Sequence, residues 1–139
     1  MAVDWNGAFM PCVFMPYSPI NIHDVYAHGK TLLDVWAHPF FARIRAWQRD
    51  YGHKKSLSEG GRHGNWIMPC PMRDHYEELY PLLREYNPTP VDGNAAAALQ
   101  DPEYREQLIE YNRAVARLFN PIWESRYLHS DNQESAKIA

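Results

Sequence analysis

Val3-Asp4-Trp5-Asn6-Gly7-Ala8-Phe9-Met10-Pro11-Cys12-Val13-Phe14 is the stretch whose reading decides the fold. An Asn-Gly pair between short apolar flanks is the strongest hairpin signal that local sequence offers. Two strands meeting at Asn6-Gly7 run directly into Cys12, and the second is expected to continue through Val13-Phe14-Met15 until Pro16 and Pro19 stop it. A second stretch, Ile67-Met68-Pro69-Cys70-Pro71-Met72, reads almost alike, and the two hold the 2 cysteines of the chain. Each thiol follows a Met-Pro pair. It therefore sits on backbone that proline keeps extended and that lacks an N–H donor just before the sulfur. The cysteines are too far apart in sequence for a local CxxC clip, so if they act together the fold must bring them together.

Working outward, residues 17–30 have no period and read as a loop closed by Gly29. Thr31 caps a short helix through Trp36, with Asp34 as its capping-box partner. Pro39 then takes the first position of a helix in which Phe40, Ile44, Trp47 and Tyr51 share one face, and Gly52 ends it. Residues 52–65 are a glycine-rich, mildly basic, flexible loop. Asp74 and Glu77 form a second capping-box pattern, opening a helix to about Tyr86 that Pro81 is expected to kink or divide. Residues 87–93 read as a linker and Ala95 to Leu99 as a brief helical turn. From Asp101-Pro102 the longest element begins. Tyr104, Leu108, Tyr111, Val115, Leu118 and Ile122 alternate steps of four and three, the stripe of an amphipathic helix that Pro121 is expected to bend. The expected class is α+β: a small N-terminal β-hairpin, then a mostly α-helical, loop-rich region with a long C-terminal helix. Its expected parts are residues 1–87, a helical extension over 88–128 and a disordered tail over 129–139.

At 139 residues, 45% of them hydrophobic, the chain has the composition of one globular domain, and 5 Trp, 9 Tyr and 5 Phe supply bulky core material. A net charge of −3 gives no electrostatic case for nucleic acid or an anionic membrane. Basic residues predominate up to residue 73 and acidic ones beyond it, as solvated helix faces commonly arrange them. Arg43, Arg45, Arg49, Lys54, Lys55 and Arg62 make a local basic cluster but have no interleaved aromatic platform. No apolar run approaches the ~20 residues of a membrane span, and no signal peptide is recognisable, so the expected location is the cytoplasm. Free thiols or metal ligands are expected there rather than a disulfide. The glycine-rich loop lacks both phosphate-binding patterns, and no nucleophile elbow supports a hydrolase.

The thiols leave three readings open. Cys12 and Cys70 can be inert small apolar side chains in a helical module whose long helix docks a partner protein. They can join His63 and His75 in a zinc site, although no recognised zinc spacing is present. Or they can be ligands of an iron–sulfur cluster, which is held by thiolates on irregular backbone in apolar surroundings.

The order of pieces bears on that choice. The hairpin ending in Pro11-Cys12-Val13-Phe14 is followed by Asn21-Ile22-His23-Asp24. Leu32-Leu33-Asp34-Val35-Trp36-Ala37-His38-Pro39-Phe40-Phe41-Ala42-Arg43-Ile44-Arg45 comes next, then Trp66-Ile67-Met68-Pro69-Cys70-Pro71-Met72-Arg73-Asp74-His75. This succession resembles the C-terminal region of radical-SAM proteins, where an auxiliary cluster domain of the SPASM or twitch type follows the catalytic barrel. The resemblance covers residues 3–87 and extends more loosely to 127. It implies that Cys12 and Cys70 are metal ligands of an auxiliary 4Fe–4S cluster serving electron transfer or substrate positioning. It also marks what the chain lacks: a CxxxCxxC triad for the SAM-cleaving cluster, and the barrel. The expectation is a fragment or one half of a split enzyme, inactive alone, whose partner is the radical-SAM barrel and which meets SAM only through it.

Overall fold

The computed structural model describes residues 1–52 and 64–128. The expected flexibility of residues 53–63 and disorder of 129–139 fall outside those residues. The chain opens with a small antiparallel hairpin and continues as mostly helix to a long C-terminal element. This is the architecture expected from the sequence.

Strands β1 (Ala2–Val3) and β2 (Ala8–Met10) pair with Ala2 opposite Met10 and Val3 opposite Phe9. The connection is longer than a two-residue Asn6-Gly7 turn. The Asp4 carboxylate accepts from the backbone N–H groups of Asn6 (2.9 Å) and Ala8 (2.8 Å), which draws Asp4 and Trp5 into the loop. Gly7 closes it at φ +79°, and a Cβ there would collide with Ile22.

Two further expectations fail nearby. The second strand does not continue past Cys12; the chain turns there, with the Met15 N–H donating to the Cys12 carbonyl at 3.2 Å. Residues 17–30 are not a featureless loop. They contain β3 (Tyr17–Ser18), β4 (Ile20–Asn21) and the helix α1 (Ile22–Ala27), which Asn21 caps by accepting from the His23 N–H at 2.9 Å. Strand β4 pairs with β2 to complete a three-stranded sheet in the order β1-β2-β4.

Helix α2 (Leu32–Trp36) starts as the capping box predicts: the Thr31 N–H donates to the Asp34 carboxylate at 2.7 Å, holding that carboxyl below its ordinary pKa. Helix α3 (Pro39–Asp50) buries Phe40, Ile44 and Trp47, with Tyr51 just beyond its end also buried. It separates two apolar clusters. Phe41 faces a small one with Phe9, Val25 and Val35, while Phe40 and Ile44 join the main core of Met15, Tyr17, Tyr76, Leu79, Leu82 and Leu83. Helix α4 (Tyr76–Tyr86) begins two residues after Asp74, whose carboxylate is engaged elsewhere, so the expected capping box does not form. Pro81 does not divide it, because the proline lies on the exposed side, where water can serve the carbonyl left without a partner.

Strand β5 (Thr89–Pro90) pairs with β3, Tyr17 opposite Pro90, and helix α5 (Gly93–Gln100) adds Ala95 and Leu99 to the main core. Asp101 caps α6 (Pro102–Trp123) by accepting from the Glu103 and Tyr104 N–H groups at 2.9 and 3.1 Å. A π-helical turn, Glu124–Leu128, follows Pro121. Only Asn112 is buried along α6, while Tyr104, Tyr111, Leu118 and Ile122 of the expected stripe remain exposed.

Candidate metal centre

The chain leaves β2 at Met10 and turns at once, so Cys12 stands at the end of the hairpin, half-buried, beside the exposed Val13 and Phe14. Cys70 opens a tight turn ahead of α4. The Asp74 N–H donates to the Cys70 carbonyl at 2.8 Å, and the Cys70 N–H donates to the Asp74 carboxylate at 3.0 Å. The same carboxylate, whose side chain is only 2% exposed, takes two bonds from the Arg73 guanidinium at 2.6 and 2.7 Å. Paired this way, Arg73 is held above its ordinary pKa, chiefly by the bond to Asp74. The Arg73 backbone N–H points at the sulfur of Cys70, 3.4 Å away. The turn therefore presents one N–H donor to its own thiol, while its guanidinium is committed to Asp74.

Two helices hold that turn. From α6, Asn112 donates to the Arg73 carbonyl and accepts from the Tyr76 N–H at 2.8 Å, joining the end of the Cys70 turn to the start of α4. From the end of α3, the Tyr51 hydroxyl shares its one proton between the carbonyls of Asn65 (3.0 Å) and Met68 (3.1 Å). His75 Nε2 donates to the Met68 carbonyl at 2.7 Å, and its ring meets Tyr51 edge-on with centroids 4.6 Å apart. Trp47 stacks on Tyr51 at 5.2 Å and also meets the His75 ring, 5.4 Å away, so the three rings form one cluster. The segment before Cys70 is thus fixed by aromatic packing and by hydrogen bonds to its carbonyls.

Cys12 and Cys70 line one cavity of about 600 Å³, walled by Phe14, Trp47, Gln48, Tyr51, Pro69, Pro71, Met72 and Arg73. A smaller hollow of about 220 Å³ lies against it and shares Cys12, Gln48 and Pro71. The fold brings the two Met-Pro-Cys stretches to a single, largely apolar space. Both cysteines are free. Among the described residues, no three His, Cys, Asp or Glu side chains gather as a metal-binding group. Two thiols are therefore the donor set that this part of the chain brings to the cavity. His63 of the zinc reading lies outside the described residues, and His75 has its Nε2 committed to the Met68 carbonyl.

The two long helices serve the cavity differently. Trp47 and Tyr51 of the α3 segment line it, whereas α6 acts from behind through Asn112. Sequence reasoning missed both polar clamps. Asp74 reads as a helix cap, and Asn112 as one more polar residue on a solvated helix. No protein-family model, curated protein or solved structure matches the chain. Among the described residues, no helix is long and apolar enough to cross a membrane.

Proposed function

We propose that this chain is an auxiliary 4Fe–4S cluster-binding domain of a radical-SAM protein, working with a catalytic barrel that it does not itself contain. One observation carries the reading: two cysteines from stretches distant in sequence line the same cavity, each on an irregular Met-Pro-Cys turn. The surroundings agree with the needs of thiolate ligands. The walls are largely apolar, and the Arg73 N–H, 3.4 Å from Cys70 Sγ, is placed to donate to a ligating sulfur.

Cys12 and Cys70 would hold the cluster. A 4Fe–4S cluster ordinarily takes four thiolates, so the pair supplies half the set and the rest come with the barrel, as a missing N-terminal part or a separate polypeptide. Exposed Trp5, Val13 and Phe14 around the hairpin and the Cys12 turn give such a polypeptide an apolar surface to close on. Bound there, the cluster supplies a one-electron relay or a fixed point for substrate. The chain's own residues orient the thiols, surround them with a largely apolar wall and aim the Arg73 backbone N–H at Cys70. The reducing cytoplasm is the compartment in which such thiols stay available.

The test is anaerobic reconstitution of the chain with and without a radical-SAM barrel chain, followed by visible absorption. The reading predicts broad thiolate-to-iron absorption, strongest when both chains are present. Its absence under both conditions contradicts the reading and leaves the helical interaction module.

A further inference from the structure

We propose that the hollow beside the thiol cavity is a binding site for a single-ring organic carboxylate, whose acid group pairs with Arg45 and Gln48 while its ring packs on Met15, Phe41 and Ile44. The inference goes beyond the cluster reading and does not rest on it, since the hollow adjoins the space that the two thiols share.

The mixed wall of the hollow follows from the spacing on α3. Phe41, Ile44, Arg45 and Gln48 fall at steps of three and four, so one flank of that helix carries two apolar side chains, a guanidinium and an amide. All four line the space of about 220 Å³, together with Met15 and Trp36. Met15, Phe41 and Ile44 are buried, whereas Arg45 and Gln48 are half-buried. An apolar cavity of about 150 Å³ admits benzene. The hollow therefore has room for one ring with a short acidic arm.

Charge selects the acid. Among the described residues, no Asp or Glu lines either this hollow or the thiol cavity. The arginines of the two spaces differ in their commitments. Arg73 is held by Asp74, while Arg45 has no ion pair among the described residues and lies with its guanidinium carbon 4.1 Å from the centroid of the Trp36 ring. A ring against the face of a guanidinium leaves the in-plane N–H groups available, and their fork matches the two oxygens of a carboxylate. Gln48 lines both spaces and adds an amide N–H donor at their boundary. One guanidinium balances a singly charged head, whereas a phosphate dianion would keep uncompensated charge in largely apolar surroundings.

The experiment is a titration of the full chain, iron-free and in reductant, with phenylacetate, followed by tryptophan fluorescence and calorimetry. Saturable binding with a Kd of roughly 0.1–1 mM is expected. Phenylacetamide, the uncharged analogue of the same shape, should bind at least ~10-fold more weakly, and inorganic phosphate should not displace the acid. Arg45→Met keeps an apolar stem and should weaken phenylacetate at least ~10-fold, erasing the preference for acid over amide while leaving the far-ultraviolet circular dichroism unchanged. Gln48→Glu sets a like charge in the hollow and should weaken the acid by a similar factor. No saturable binding up to about 10 mM overturns the proposal. So does an acid held no more tightly than the amide, displacement by phosphate, or an Arg45→Met protein that keeps the preference. The acid–amide comparison needs only the wild-type chain, so it decides even where a variant fails to fold. Iron is absent throughout, which keeps the outcome separate from that of the cluster reconstitution.

Discussion

Asp74 decides the shape of the Cys70 turn. Its buried carboxylate receives the Cys70 N–H and both arms of the Arg73 fork, while its own N–H closes the turn on the Cys70 carbonyl. Asp74→Ala removes the carboxylate but leaves the exposed Arg73 free to solvate, so the loss is that of the charge-assisted bonds to a buried acceptor. A decrease of about 2 kcal/mol in unfolding free energy is expected, measured by urea denaturation against the wild-type chain. Neither this role nor that of Asn112 was legible in the sequence. An aspartate three residues before a glutamate satisfies the local rule for a helix start, and only the tertiary position of Cys70 offers it a better donor. Asn112 sits among solvated side chains on a helix whose packing face the spacing of its apolar residues does not mark. The cysteines themselves were legible, because proline on the preceding residue constrains each thiol whatever the fold.

At the scale of elements, α3 was readable almost completely, since a proline at its start, four apolar residues at helical spacing and a glycine at its end all agree. Its cap adds a pH dependence. His38 Nδ1 accepts the Phe40 N–H at 3.3 Å, which needs a lone pair and hence an unprotonated nitrogen. Burial, and to a lesser degree the charge of Lys30, lowers the His38 pKa from 6.5. The unfolded chain therefore takes up the proton first as pH falls. Stability contributed by this cap is complete above the unfolded value and is lost as pH drops below it. His38→Asn keeps a capping acceptor without the titration, so its unfolding free energy should fall less than that of wild type between about pH 7 and 5. Denaturant midpoints of the two proteins across that range check it.

The loop before Cys70 depends on close packing as well as on the hydrogen bonds to its carbonyls. A Cβ at Gly64 would collide with the Tyr51 ring and carbonyl, so Gly64→Ala should cost about 1–3 kcal/mol, read as a lower thermal midpoint. The segment over 17–30 was missed for a different reason. Two-residue strands and a six-residue helix carry too few residues to show a period, and their partners, β2 and β5, lie elsewhere in the chain.

Across the whole molecule, packing and presentation divide the chain's aromatic residues. Tyr17, Phe40 and Tyr76 fill the main core, Phe14, Trp47 and Tyr51 wall the thiol cavity, and Trp5, Tyr26 and Tyr111 remain outside. Composition announced plenty of core material but not this division, because hydrophobicity does not distinguish a buried stripe from an outward one. The N-terminal turn and the turn before α4 meet beside α3, and that meeting places the two cysteines on one cavity. The most direct measurement is iron and acid-labile sulfide per chain after anaerobic reconstitution in the presence of the barrel, for wild type, Cys12→Ala and Cys70→Ala. The account predicts iron and sulfide in equal amounts in the wild-type assembly and a loss of at least about half in either variant, since each removes one of four ligands. Iron and sulfide unchanged in both variants would contradict it, leaving the two thiols neighbours without a common ligand.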